Sequence, residues 1–247
     1  MTGQIPDISI LVTAHNEAHL AGPSLQSAER AIAAAEAGGL LVERLVGLDA
    51  PTLETEQFFA QPNISRKWRV EHYDFRDPYI LRNNLVRQSS GKWLAWLDGD
   101  DLISENWLIA AVRFLQERPA DSMEIAHPEL NWVFDEEAYV FSLIDQLDPI
   151  YSKAYLYFNN YWDMMCICPR SLALRVPYQG RRPDLGYGYE DWHWNLEVMG
   201  LGAIHRVIPD TVVAKRRRGR SVSRHNAENR AVCRPSETMA IERYRTR

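Results

Sequence analysis

Four short apolar runs, each ending in polar residues and each but the last followed by a stretch at helical spacing, set the rhythm of the first hundred residues. Ile8-Ser9-Ile10-Leu11-Val12-Thr13-Ala14 is mostly apolar and rich in β-branched residues, which predicts a buried strand, and His15-Asn16-Glu17 ends it. From Pro23 to Ala37 the chain is Ala-rich with Leu25, Ala28, Ile32 and Ala35 at helical spacing, and Gly38-Gly39 supplies a stop. Leu40 to Leu48 predicts a second strand ending at Asp49, and Pro51 to Ala60 a short helix with proline near its start. Lys67 to Tyr73 reads as a third, weaker strand. Asp77-Pro78 opens a helix through about Gln88, with Leu81 and Leu85 one turn apart. Gly91 closes that helix before Trp93-Leu94-Ala95-Trp96-Leu97, an apolar run that predicts a fourth buried strand.

Strands alternating with helices predict an α/β fold: a mostly parallel, Rossmann-like sheet with helices on both faces, connected right-handedly. In such sheets ligands bind beyond the carboxyl ends of the strands. Thr13 to Glu17, Asp49 and Asp98 to Asp101 are all strand-end positions, so these polar clusters are expected to meet at one edge.

The second half loses this alternation. Ser104 is a candidate cap for a helix to about Glu117, with Leu108, Ala111, Val112 and Leu115 as its buried stripe. Met123 to His127, Ala138 to Phe141, Met164 to Cys168 and His205 to Ala214 are strand candidates. Glu190 to Met199 predicts a helix whose first two residues, Glu190-Asp191, suit its positive end. Residues 142 to 162 carry no assignment. The 247 residues, 46% hydrophobic, suffice for one sizeable core, and a single domain is expected: about 1–101 as one half, 102–214 as a second, 215–247 as a basic tail.

Charge sharpens this division. Residues 211 to 247 hold 11 Lys/Arg against 3 Asp/Glu, a local +8, within a chain of net charge −5; the remainder is therefore −13. An acidic body makes nucleic acid a poor partner. No run of 18 or more apolar residues occurs, and the first residues lack the pattern of a signal peptide. Three cysteines, unevenly placed, suit neither a disulfide framework nor a zinc site, so a reducing, cytoplasmic setting is expected.

Asp98-Gly99-Asp100-Asp101 concentrates three carboxylates where a buried strand ends. Such carboxylates repel one another, and a hard cation such as Mg²⁺ or Mn²⁺ relieves this while bringing phosphate ligands with it. The same four residues also suit a solvated Asp-Gly turn. Both readings stand on the motif alone.

Three pieces together carry a resemblance: the first strand ending in Ala14-His15-Asn16-Glu17, Arg82-Asn83 sixteen residues before Asp98, and Glu190-Asp191-Trp192 after a Gly-rich stretch. The chain resembles the inverting glycosyltransferases of family two, which have the GT-A fold. The resemblance implies a nucleotide site at Thr13, His15, Asp49, Arg82 and Asp98, and a divalent metal, Mn²⁺ or Mg²⁺, at Asp98, Asp100 and Asp101. It also implies Asp191 as catalytic base, with Tyr189, Glu190 and Trp192 toward the acceptor. Where the family carries a histidine near the metal this chain has Arg218, so water or His225 is expected in that place. Arg216, Arg218 and Arg220 are then expected on the donor diphosphate, or against an anionic membrane surface at the inner face of the membrane.

The implied reaction is metal-dependent transfer of a sugar from a nucleotide-diphosphate donor to a hydroxyl acceptor, a glycan or a lipid-linked saccharide. Two other classes compete. A nucleotidyltransferase also joins a nucleotide-binding sheet to acidic metal ligands, but Leu11 to Glu17 lacks the glycines of its first loop. A sugar- or nucleotide-binding module without turnover would keep the fold alone.

Overall fold

The computed structural model describes residues 4–219 and 222–242. β1 (Ile8–Ala14) is buried at every position and leads through a 3-10 turn into α1 (Ala21–Ala37). β2 (Val42–Asp49), α2 (Leu53–Phe59), α3 (Pro62–Ser65), β3 (Arg69–Tyr73), α4 (Pro78–Gln88) and β4 (Trp93–Asp98) continue the alternation. Then come β5 (Leu102–Ile103), α5 (Trp107–Gln116), β6 (Glu124–Asp135), β7 (Tyr139–Ser142), β8 (Ile167–Pro169), α6 (Arg170–Arg175), α7 (Glu190–Gly200), β9 (Ile204–Arg217) and α8 (Val222–Glu228).

The described strands form one sheet in the order β3-β2-β1-β4-β8-β6-β9-β5, with β7 paired to β6. The first four strands are mutually parallel, β8 enters antiparallel between β4 and β6, and β6 and β9 run parallel. Two cores cover the two faces. Ile8, Ile10 and Val12 pack with Leu25, Ala28 and Ile32 of α1 and with Leu108, Ala111, Val112 and Leu115 of α5. Leu11, Leu94 and Trp96 pack with Leu81 and Leu85 of α4 and Trp194 of α7. Burying such side chains contributes about 1.5–3 kcal/mol each, and their alternation along β1 fixes which core each of them enters.

Local chemistry explains the boundaries. The Asp77 carboxylate accepts from the N–H groups of Tyr79 and Ile80, capping α4 as expected. Ser104 does not cap α5. Its hydroxyl donates to Asn106 Oδ1 and accepts from Val212 N, so it ties the loop to β9 while the helix starts at Trp107. The stretch 142–162 holds a 3-10 turn, Lys153–Tyr157, and no long element. β9 outruns its expected end at Ala214 by three residues, because its pairing with β6 continues to Asp135↔Arg217. Lys215, Arg216 and Arg217 therefore belong to the sheet. Among the described residues no helix is long and apolar enough to cross a membrane.

Candidate active site

The carboxyl ends of β1, β2 and β4 open onto a cleft of about 1290 Å³, which the ends of β6, β7 and β9 border on the far side. Thr13 and Asp98 are register partners across β1 and β4, and the Thr13 hydroxyl donates to Asp98 Oδ1 at 2.8 Å. Arg82, buried in α4, donates to the same oxygen from Nη2 at 2.5 Å. Burial opposes ionisation of Asp98, but Arg82, Lys215 and Thr13 outweigh it and hold the carboxyl below its ordinary range. The chain then doubles back tightly: Gly99 N donates to Thr13 O at 2.8 Å, and a Cβ on residue 99 would lie 2.9 Å from that oxygen. This turn swings Asp100 and Asp101 into the cleft.

Each of those two carboxylates meets the basic end of β9. Asp100 Oδ2 lies 2.7 Å from Arg218 Nε, whose guanidinium also donates to Glu17 Oε1 at 3.1 Å. Asp101 Oδ1 accepts from Arg216 N at 2.8 Å, because β5 pairs Leu102 with Ala214 and holds the two segments in register. Arg216 itself pairs with Asp135 at 2.7 Å. Burial pushes Asp100 up to about 6, with Asp98 and Glu17 adding to the rise and Arg218 opposing it. Burial likewise raises Asp101, against the pull of Lys215.

Lys215, near the end of β9, lines the same cleft. Its ammonium lies 3.2 Å from Asp163 Oδ2, an oxygen that also accepts from Asn131. Burial works against the charged lysine, but Asp163, Asp101, Asp98 and Asp191 outweigh it and raise the lysine above its ordinary range. Asp191 lies at the start of α7 after the left-handed Tyr189, and its Oδ1 accepts from Trp192 N at 2.9 Å. Burial raises its carboxyl from its ordinary value, against the pull of Lys215 and the hydrogen bond from Trp192 N.

Most expected site residues meet here, in unequal roles. Thr13, His15, Asp49, Arg82, Asp98, Asp100, Asp101, Tyr189, Asp191, Arg216 and Arg218 all line the cleft. The Asp49 carboxylate is already engaged by the backbone N–H groups of Phe75, Arg76 and Asp77, and His15 Nδ1 lies 2.7 Å from Asp49 O. Glu190 is 1% exposed and Trp192 packs beside Leu143 and Leu196; neither lines the cleft, since at the start of α7 only Asp191 faces it. His225 is exposed on α8 beside Asn229 and does not line the cleft either. Arg220 lies outside the described residues.

Asp163 and Asn131 were not anticipated as site residues, whereas Glu17 was expected at this edge only as part of the Thr13–Glu17 cluster and Lys215 only as part of the basic tail. A charged side chain at the end of the last strand is the signal that points to Lys215. Asp163 adjoins the one stretch whose pattern carries no assignment.

The donor set suits a hard divalent cation. Asp98, Asp100, Asp101 and Glu17 converge, and two of them are held above the carboxylate range by burial. Among the described residues no three His, Cys, Asp or Glu side chains are grouped as a ready-made cage.

A mostly parallel sheet flanked by helices, with an acidic turn at the carboxyl end of its fourth strand, is the architecture of the GT-A class. The sequence agrees: the family model described as glycosyl transferase family 2 matches residues 9–178, and the chain belongs to that family. No curated protein matches it in sequence. Among solved structures it is similar to residues 1–349 of TarS from S. aureus in complex with UDP-GlcNAc. There the TM-score is 0.66 at 16% identity over 88% of this chain and 60% of that one. It is also similar to the mannosyltransferase PcManGT from Pyrobaculum calidifontis in complex with GDP-Man and Mn²⁺. In that case the TM-score is 0.59 at 17% identity, over 90% of this chain and 60% of that one. The chain thus spans about three-fifths of the length of each.

Proposed function

We propose that this chain transfers a sugar from a nucleotide-diphosphate donor to a hydroxyl of a saccharide acceptor, by single displacement with inversion. The observation that carries this reading is that Asp191 and the Asp98–Asp101 turn line one cleft, with Lys215 between them. Residues 1–101 supply the nucleotide half, 102–214 the acceptor half, and the basic segment from 215 meets both.

Thr13, His15 and Arg82 bound the nucleoside end, and Asp49 shapes it through the 75–77 backbone. A Mn²⁺ or Mg²⁺ held by Asp100 and Asp101, with Asp98 behind them, would act as a Lewis acid on the diphosphate. Lys215, Arg216 and Arg218 add positive charge on the same side, where negative charge grows as the bond from the anomeric carbon to the diphosphate oxygen breaks. The leaving oxygen keeps that electron pair. From the opposite face the acceptor hydroxyl forms the new bond, and its proton passes to the Asp191 carboxylate. A raised pKa helps Asp191 hold that proton.

TarS with UDP-GlcNAc and PcManGT with GDP-Man support a UDP- or GDP-linked sugar as the donor class. A thermal-shift panel of nucleoside diphosphates and nucleotide sugars, with and without Mn²⁺, tests this, since a ligand of the native state raises its stability. A metal-enhanced shift for one base is expected; no shift with any member would overturn the reading.

A further inference from the structure

The cleft does not end at Asp191. It continues between β7 and the 155–161 segment, and its volume of about 1290 Å³ exceeds the roughly 300–1,000 Å³ of an ordinary small-molecule pocket. Tyr139 and Phe141, two residues apart on β7, present their rings to it, 6.1 Å apart and inclined by 29°. They are 45% and 41% exposed, and Tyr155, which also lines the cleft, is 40% exposed. Large aromatics left this open beside a reaction centre mark a binding surface.

Tyr155 is backed by a packed row of rings. Tyr155 lies 4.5 Å from Tyr161, which packs on Trp162; Trp162 stacks on His205 at 4.0 Å, and His205 on His127. Asn160 accepts from Asn195, and its amide donates to Trp162 O, which pins the segment to α7.

We infer that this arm of the cleft binds a glycan chain of two or more sugar rings, with Tyr139, Phe141 and Tyr155 as its stacking walls. This rests on the glycosyl-transfer reading and specifies its acceptor as a saccharide chain. A pyranose has an apolar C–H face and a rim of hydroxyls, which matches the flat faces of the three rings and the phenolic oxygens of Tyr139 and Tyr155. Asn159, whose amide nitrogen donates to the Tyr155 hydroxyl at 3.0 Å, adds a polar group beside them. A polyprenyl chain lying here would strip water from those polar groups without replacing the hydrogen bonds.

The test uses the full chain without donor and ligand-observed NMR. Its probes are neutral gluco-, manno- and N-acetylglucosamine oligosaccharides of one to six rings. Affinity is expected to rise with length. Tyr139→Ala, Phe141→Ala and Tyr155→Ala should each weaken it at least about tenfold, the loss typical of a well-packed aromatic anchor. Affinity for nucleoside diphosphates should stay within about twofold, as for independent sites. A flat response to length, or glycan binding indifferent to all three substitutions, would overturn the inference. So would displacement of the glycan by a polyprenyl phosphate in detergent. Failure to bind any nucleoside diphosphate would instead sink the transferase reading, while glycan binding is still read from the same spectra.

Discussion

Arg218 Nε lies 2.7 Å from Asp100 Oδ2, so the carboxylate proposed to hold the metal is bridged by an arginine that also reaches Glu17. Arginine has five donors and no acceptor, so it cannot join a metal shell and instead competes with it for Asp100. Arg218→Ala is expected to tighten Mn²⁺ binding in the absence of donor, read by electron paramagnetic resonance. It should also weaken metal-free binding of a nucleoside diphosphate by about tenfold, the scale of one lost charge-assisted hydrogen bond. Unchanged values for both would show the guanidinium to be a bystander.

Asp100→Asn keeps the size of the side chain and removes a hard anionic ligand. Calorimetric titration should show donor affinity that no longer responds to Mn²⁺, with the thermal midpoint close to that of the parent. A mutant with full metal response would return Asp98 to Asp101 to the status of a turn.

Gly99→Ala places a methyl group 2.9 Å from Thr13 O, in a turn held by the hydrogen bond from Gly99 N to the same oxygen. Urea unfolding should show a loss of about 1–3 kcal/mol, the usual cost of overpacking. Donor affinity should fall as well, since Asp98 and Asp100 flank the displaced residue. A variant as stable as the parent would mean that the turn yields freely.

His127 and His205 share a hydrogen bond of 2.8 Å in full burial, and burial lowers His127 to about 3 and His205 well below its ordinary value. The unfolded chain therefore binds more protons than the folded one between about pH 6.5 and the depressed values. Stability is complete above pH 6.5 and falls as the pH drops below it, by about 1.4 kcal/mol per pH unit for each histidine held neutral. Urea titrations at pH 7, 6 and 5 should show this slope, reduced in His127→Gln. A slope unaffected by that substitution would place the acid sensitivity elsewhere.

The first half of the fold was readable in the sequence because parallel strands buried on both faces announce themselves as apolar runs. Their ends then locate Thr13, Asp49 and Asp98 without further information. Asp163 and the ring wall of Tyr139, Phe141 and Tyr155 were not legible. The β7 strand that carries Tyr139 and Phe141 was a candidate, but its place beside the cleft was not, and Asp163 and Tyr155 lie in an irregular stretch and a 3-10 turn held near distant partners such as Asn131 and Asn195, which leave no periodic trace. Lys215 was read as part of a basic tail and not of the sheet, because pairing with β6 carries β9 past the apolar part of its own pattern. Of Glu190, Asp191 and Trp192 only Asp191 lines the cleft, because a motif names neighbours in sequence whereas a helix start turns them in different directions.

The central claim is that Asp191 takes the acceptor's proton, and Asp191→Asn tests it most directly when donor binding and sugar transfer are measured on the same preparation. The account predicts an unchanged dissociation constant for the nucleotide sugar and a transfer rate lowered by roughly 10²–10⁴-fold, the range of a lost general base. Transfer at the parental rate would contradict it and leave Asp191 as an acid at the start of a helix.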